Sequence, residues 1–131
     1  MKATLITLTT ICALIFTGCT TPVAIDPQTG QEQLAEYRLG YFHAPLDASI
    51  GEIFKTSIRQ MDKMGYYRTA ELHKETAITI YARKVGDEKI TVRASVPRDA
   101  SEGQSEIRIR VGKFGNLAES QTIYAHIRDA L

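Results

Sequence analysis

The sequence predicts an α+β domain, a two-layer sandwich in which two helices cover one face of an antiparallel sheet of about five strands. Three observations lead to this prediction. Apolar residues recur at helical spacing after Ser49, alternate with polar residues between Tyr66 and Val111, and return to helical spacing after Asn116. The predicted order is therefore β-α-β-β-β-β-α, and both helical stripes are buried most simply if both helices pack on the apolar face of the sheet.

The first strand is predicted over residues 37–45, YRLGYFHAP, whose final proline ends the extended run. Asp47 or Ser49 is placed to cap the helix that follows, and Glu52 completes a capping-box pattern with Ser49. Gly65 supplies the stop signal. Between these signals, one stripe of apolar side chains follows helical spacing: Ile50, Ile53, Phe54, Ile58, Met61 and Met64.

Four strands are predicted next, in the segments YYRTAELH, AITIYAR, KITVRASV and SEIRIRV. Regular alternation in the last three segments indicates antiparallel strands with one packed face and one solvated face. The inward positions are Ile78, Ile80, Ala82, Ile90, Val92, Ala94, Val96, Ile107, Ile109 and Val111. The connecting segments VGDE and PRDASEGQ carry residues that are typical of hairpin turns.

The last helix is predicted to begin at Leu117, with Asn116 as its cap and Glu119 at its third position. Its inner face is expected to carry Leu117, Ile123, Tyr124 and Ile127. The VGKFGN turn before it ends at a helix N-terminus, where an anion is favoured in principle. The glycine pattern is shorter than that of phosphate loops, and we interpret the turn as a capped strand-to-helix connection.

The first eighteen residues have the composition of a signal peptide. A basic start with Lys2 precedes the fifteen uncharged residues ATLITLTTICALIFT, a run too short and too rich in threonine to favour a membrane-spanning helix. We therefore predict a leader over 1–18, a segment over 19–36 that begins at Cys19 and continues as a flexible tether, and a single α+β domain over 37–131. The tether prediction depends on two prolines, one glycine and no sustained period in 20–36.

The order Phe16-Thr17-Gly18-Cys19 resembles the bacterial lipoprotein box, although its first residue is usually leucine. The resemblance implies that Cys19 receives a diacylglyceryl group and further acyl chains such as palmitate, and becomes the first residue after cleavage. Thr20 in place of aspartate implies sorting to the outer membrane, facing the periplasm. Since Cys12 leaves with the leader, Cys19 remains as the only cysteine, so no internal disulfide is expected. The alternative is an exported protein with an unmodified thiol.

Two longer segments resemble a family of small bacterial lipoproteins that is catalogued only as a domain of unknown function. They are HAPLDASIGEIFKTSIRQMDKMGY, with a P-L-D helix start, and IRIRVGKFGNLAESQTIYAHI, with an I-R-V-G-x-F-G turn. Asn116 departs from the usual aspartate of that turn. The resemblance implies the fold and a location in the bacterial envelope. It implies no reaction, substrate or catalytic residue.

Charge balance argues against nucleic acid as a partner. The chain has 16 Lys and Arg, of which Lys2 lies in the leader, and 15 Asp and Glu, so residues 19–131 carry no net charge. The three histidines, His43, His73 and His126, lack a metal-ligand spacing. With no glycine-framed serine and no recognisable cofactor motif, we predict neither a catalytic site, nor a metal, nor a cofactor.

One surface supports a sharper hypothesis. The outward strand positions include Tyr81, Arg83, Arg93, Arg108 and Arg110, which form a basic, partly aromatic sheet face if the strands are neighbours. Such a face fits an anionic envelope component or an acidic protein surface. The alternative is a solvated face whose arginines pair across strands with acidic residues.

Two classes of function remain. The first is a non-enzymatic binding or scaffolding domain, attached to the membrane by its N-terminal lipid. The second is an envelope enzyme, such as a hydrolase, whose site the sequence does not reveal; it predicts a concave pocket with convergent polar groups.

Overall fold

The computed structural model describes residues 20–24, 26–27 and 29–131. The strands are β1 (Thr20–Pro22), β2 (Glu36–Arg38), β3 (Tyr41–Leu46), β4 (Tyr67–Lys74), β5 (Ala77–Lys84), β6 (Glu88–Ser95) and β7 (Ser105–Val111). The helices are α1 (Ile50–Lys63) and α2 (Leu117–Asp129). Neither helix has the length and apolar character needed to cross a bilayer.

The strands form one antiparallel sheet in the order β1-β2-β3-β7-β6-β5-β4. The α+β class, the antiparallel sheet and the two helices agree with the sequence prediction. The predicted number of about five strands is wrong, because the sheet has seven. Both additional strands come from the N-terminal part of the domain.

The first difference is that the predicted strand 37–45 is two strands joined by a tight turn. Leu39 and Gly40 have φ angles of 51° and 79°, and they reverse the chain between β2 and β3. Because leucine rarely adopts this left-handed conformation, Leu39 does not predict a turn here. Gly40 allows the reversal without strain.

The second difference lies in the segment predicted as a flexible tether. Its β1 pairs with β2, and the chain beyond β1 stays paired through hydrogen bonds such as Val23 N to Ala35 O at 2.8 Å. Asp26 is buried and accepts a hydrogen bond from Arg128 of α2, Nη1 to Oδ2, at 2.5 Å. Three-residue strands are too short to produce a visible period, and this ion pair depends on a residue far along the chain. The leader 1–18 and Cys19 lie outside the described residues.

Both helices have the predicted ends. The Ser49 hydroxyl accepts from Glu52 N at 3.3 Å and the Glu52 carboxylate accepts from Ser49 N at 3.0 Å, which completes the capping box. At the other end of α1, Tyr66 N donates to Met61 O and Gly65 N to Asp62 O, the bonds of a Schellman motif. The predicted cap of α2 is likewise confirmed, since Glu119 N donates to Asn116 Oδ1 at 3.1 Å.

The core lies between the two helices and one face of the sheet. Ile53 and Met61 of α1 and Ile123 and Ile127 of α2 are fully buried against alternate residues of the strands. The prediction that both helices cover the same sheet face is therefore correct. Among the described residues, every member of the buried core cluster lies between Phe42 and Ile127.

The VGKFGN turn packs against the β2–β3 turn. Gly115 has a φ of +83°, and a Cβ atom there would lie 2.5 Å from the Tyr37 hydroxyl and 2.6 Å from the Gly40 Cα. A Cβ atom on Gly40 would lie 2.8 Å from the carbonyl oxygen of Phe114. The two turns therefore approach each other as closely as only glycine permits.

Candidate functional site

The sheet face opposite the helices carries the candidate site. Because side chains alternate along each strand, the register assigns the open-face residues to rows that run across the strands. One row contains Leu72, Thr79, Arg93, Arg108 and His43, on β4, β5, β6, β7 and β3 respectively. These five residues line a shallow groove of about 390 Å³. That volume is within the range of small-ligand sites.

The groove lining is basic. No aspartate or glutamate belongs to the lining. Four of its side chains are cationic: Arg38, Lys74, Arg93 and Arg108. Apolar and aromatic side chains lie among these cations: Leu39, Tyr41, Leu72 and Tyr81. The arrangement provides favourable electrostatics for an anion and a surface for an adjoining apolar group.

Arg93 and Arg108 are direct cross-strand neighbours on β6 and β7. Like charges in this position oppose pairing of the strands. Arg108 is partly neutralised, since its Nε donates to Glu106 at 2.6 Å. Arg93 makes no ion pair within the described residues, and its Nε is buried there without a hydrogen-bond partner. A buried donor without an acceptor is costly, so this position of Arg93 reduces the stability of the fold.

Glu106 connects Arg108 to His43. The carboxylate accepts from Arg108 and also lies 3.0 Å from Nδ1 of His43, a residue only 8% exposed. Burial favours the neutral acid, but the hydrogen bonds from Arg108 and His43 outweigh it and hold the pKa of Glu106 below its ordinary value. Glu106 is therefore ionised, so Nδ1 of His43 is the donor in this pair.

The structure brings together three of the five sequence-predicted face residues. Tyr81, Arg93 and Arg108 line the groove. Arg83 instead donates to the Asp87 carboxylate at 2.8 Å and to the Asp87 carbonyl at 3.0 Å, within the β5–β6 turn. Arg110 donates to the Lys113 carbonyl, and its guanidinium lies 5.1 Å from the centre of the Tyr41 ring. Cys19, the predicted lipidation site, lies outside the described residues.

Several groove residues were missed by the sequence reasoning. Arg38 and Leu39 reach the groove because the chain turns at Leu39, and Lys74 and Leu72 reach it because β4 is the outer strand beside β5. The alternation of β4 offered no signal, since all eight of its residues are exposed. The periodicity in residues 41–45 did offer a signal for His43, which alternates with the core residues on either side.

A second charged cluster lies away from the groove. Lys84 Nζ lies 2.5 Å from Glu119 and 2.9 Å from Glu88, and these hydrogen bonds, led by the one to Glu119, raise its pKa. The cluster joins the β5–β6 hairpin to the first turn of α2. Burial, reinforced by Glu119, raises the pKa of the nearby Tyr66 hydroxyl. Within the described residues, no group of three or more His, Cys, Asp and Glu side chains is arranged to hold a metal ion.

The model of a family described as protein of unknown function (DUF3568) matches residues 2–130. No curated protein matches the chain.

Proposed function

The chain belongs to the DUF3568 family of proteins of unknown function, and from this premise we propose that its α+β domain is a non-enzymatic binding module of the bacterial envelope. In this proposal, lipid on Cys19 attaches the domain to the outer membrane, facing the periplasm, and the groove binds an anionic component of that compartment. The lipoprotein box and Thr20 support the proposed location at the outer membrane. The basic open sheet face supports the binding role.

The pairing of Arg93 with Arg108 is the observation that carries this proposal. Two guanidinium groups side by side repel each other, and Glu106 is bonded to only one of them. A sheet face that served only solubility would place opposite charges across the strands. An anion in the groove reduces the repulsion between the two guanidinium groups.

The test is crosslinking in intact cells with wild-type protein and two double variants. Arg93→Glu with Arg108→Glu reverses the groove charge, whereas Lys55→Glu with Arg59→Glu makes the same charge change on the exposed side of α1. We expect the groove variant to lose adducts that wild type and the α1 control both retain. Thermal unfolding checks that both variants fold. If the groove variant retains every adduct, the anion-binding proposal is wrong.

The anchor has a separate test. Mass spectrometry of the mature N-terminus from the native membrane is expected to find an acylated Cys19. An unmodified thiol on a chain that partitions wholly into buffer would contradict the membrane attachment.

A second candidate, an envelope hydrolase, is favoured by one observation. His43 is buried at the groove and oriented by the Glu106 carboxylate, an arrangement in which imidazole acts as a general base. The groove also has the concave shape with convergent polar groups that an enzyme requires. Hydrolysis of p-nitrophenyl phosphate or acetate by wild type, and its loss in His43→Gln, would favour this candidate over the binding module.

A further inference from the structure

We propose that the groove binds the phosphate headgroup of an anionic phospholipid in the same membrane that carries the anchor, so that the open sheet face lies against the bilayer. This inference rests on the proposed function and names its ligand. Two independent features support it: the point at which the chain enters the sheet, and the mixed chemistry of the groove.

The chain enters the sheet at the edge of the groove. Thr20 begins β1 and is the cross-strand partner of Arg38, which itself pairs with Tyr41. Cross-strand partners have Cβ atoms about 5 Å apart, and consecutive residues have Cα atoms about 3.8 Å apart. Lipid attached to the residue before Thr20 therefore leaves the folded domain beside Arg38 and Leu39, which line the groove.

The paired N-terminal segment limits how far the domain can turn away from its anchor. A flexible tether of 17 residues would reach about 20–25 Å. In the structure, this segment is instead hydrogen-bonded from β1 onward, and its Asp26 is joined to Arg128 of α2. The anchored end is thereby fixed at one edge of the open face, so a bilayer that holds the lipid lies next to that face.

The groove chemistry fits a lipid headgroup better than a small soluble anion. Arg93 and Arg108 at the centre supply donors for phosphate oxygens. Three apolar or aromatic lining residues remain exposed around them: Leu39 at 82%, Leu72 at 44% and Tyr81 at 38%. A soluble anion makes no use of such side chains, whereas the glycerol and first methylenes of a phospholipid contact them.

The helix layer lacks this one-sided charge. Exposed Glu52 and Asp62 lie on α1 among Lys55, Arg59 and Lys63. Opposite charges of that kind leave little net attraction for an anionic surface, whereas the charged residues of the groove lining are all cations, with Glu36 and Glu106 beside the lining on the same face. Electrostatic attraction therefore favours the orientation that the anchor position already imposes.

The first experiment measures orientation on vesicles. Residues 19–131 contain the complete described core, and Cys19 is coupled to a maleimide lipid. Since the chain has no tryptophan, Tyr81→Trp reports from the groove and Lys55→Trp from α1. In vesicles of phosphatidylglycerol and brominated phosphatidylcholine, we expect strong quenching of the groove reporter and little of the α1 reporter. Equal quenching, or none at the groove, overturns the inference.

The second experiment measures attraction without the tether, using Cys19→Ser protein and sedimentation with the same vesicles. Each basic residue near an anionic surface changes partitioning by about fivefold. Arg93→Ser with Arg108→Ser is therefore expected to weaken binding by roughly 25-fold, whereas Lys55→Ser with Arg59→Ser leaves it nearly unchanged. Equal loss in both double variants overturns the inference.

Titration of isotope-labelled protein with glycerol 1-phosphate separates the two proposals. Shifts of the Thr91 and Arg93 amides without vesicle quenching would overturn the membrane placement and leave the groove as a site for a soluble phosphate-bearing partner. Absence of both shifts and quenching would overturn the anion-binding function as well.

Discussion

The two faces of the sheet are built from the same strands and obey different physical requirements. On the helix-covered face, Ile109 lies between its cross-strand partners Phe42 and Val92, and all three are at most 1% exposed. One position along β7 on the open face, Arg108 lies between His43 and Arg93. Two consecutive residues of β7 therefore belong to different rows. One row consists of packed apolar side chains, and the other contains adjacent positive charges.

The difference shows that stability alone does not determine the open face. Apolar cross-strand pairs on the covered face contribute burial and packing, so nearly every position there is used by the core. Arg93 and Arg108 on the open face oppose strand pairing, and among the described residues only Arg108 has a carboxylate partner. Side chains that cost stability where they lie are candidates for binding, because folded proteins tolerate such costs mainly at functional sites.

The largest effect is expected on the covered face. Ile109→Ala removes a fully buried side chain at the centre of the sheet and leaves a cavity, which costs about 2–5 kcal/mol of unfolding free energy. Denaturant unfolding measures this loss. Thr91→Ala, on the open face of the adjoining strand, is the control and is expected to change stability by less than about 1 kcal/mol. Similar losses in both variants would contradict the assignment of the two faces.

A smaller effect is expected at Glu106, where the open face is partly neutralised. Glu106→Gln replaces the ionised acceptor for Arg108 and His43 with a neutral amide oxygen, and is expected to lower the unfolding free energy by about 1–3 kcal/mol at neutral pH. The groove becomes more positive, so affinity for an anionic probe should rise while stability falls. Affinity that falls together with stability would contradict a purely electrostatic role for this carboxylate.

The same variant has a defined pH dependence. The pKa of Glu106 is lower in the folded chain than its ordinary value of 4.5, so its ionised form stabilises the fold above that pH. The contribution is lost as pH falls below 4.5 through the folded pKa. The stability difference between wild type and Glu106→Gln should therefore shrink on acidification, which denaturant titrations at a series of pH values measure. A difference that stays constant down to low pH would argue against the ion pair.

The smallest effect is expected at Arg93. Arg93→Thr removes the like-charge pair and introduces a residue with high strand propensity, so the unfolding free energy should stay constant or increase by about 0.2–1 kcal/mol. Binding of an anionic probe should fall in the same protein. Denaturant unfolding and probe titration measure the two changes. A marked loss of stability would indicate that Arg93 has a structural role.

Most of the covered face was predictable, because its signals are local and periodic. Helix caps at Ser49 and Asn116 and the alternation in β5, β6 and β7 were correctly interpreted, except that Val96, predicted to face inward, lies just beyond β6 and is 46% exposed. The strands β1 and β2 were missed because each spans three residues, and because their pairing depends on a turn at Leu39 that leucine rarely forms. The predicted membership of a family of unknown function is confirmed, whereas lipidation of Cys19 stays a prediction.

The candidate site was predictable only in part, because strand order decides which outward residues meet. Alternation placed Arg93, Arg108 and Tyr81 on one face, and the register brings them together. Alternation also placed Arg83 and Arg110 there, but local acceptors in the adjoining turns bind them. Arg38 joins the groove through a turn, and no periodic signal in the sequence reveals it.

The contact between Gly115 and Gly40 gives the turn before α2 a structural role. The I-R-V-G-x-F-G segment packs against the β2–β3 turn. None of its residues lines the groove, and Arg108, which does, lies immediately before it. Another protein with the same turn would therefore be expected to share this architecture, whereas a shared ligand would depend on residues at the positions of Arg38, Arg93 and Arg108.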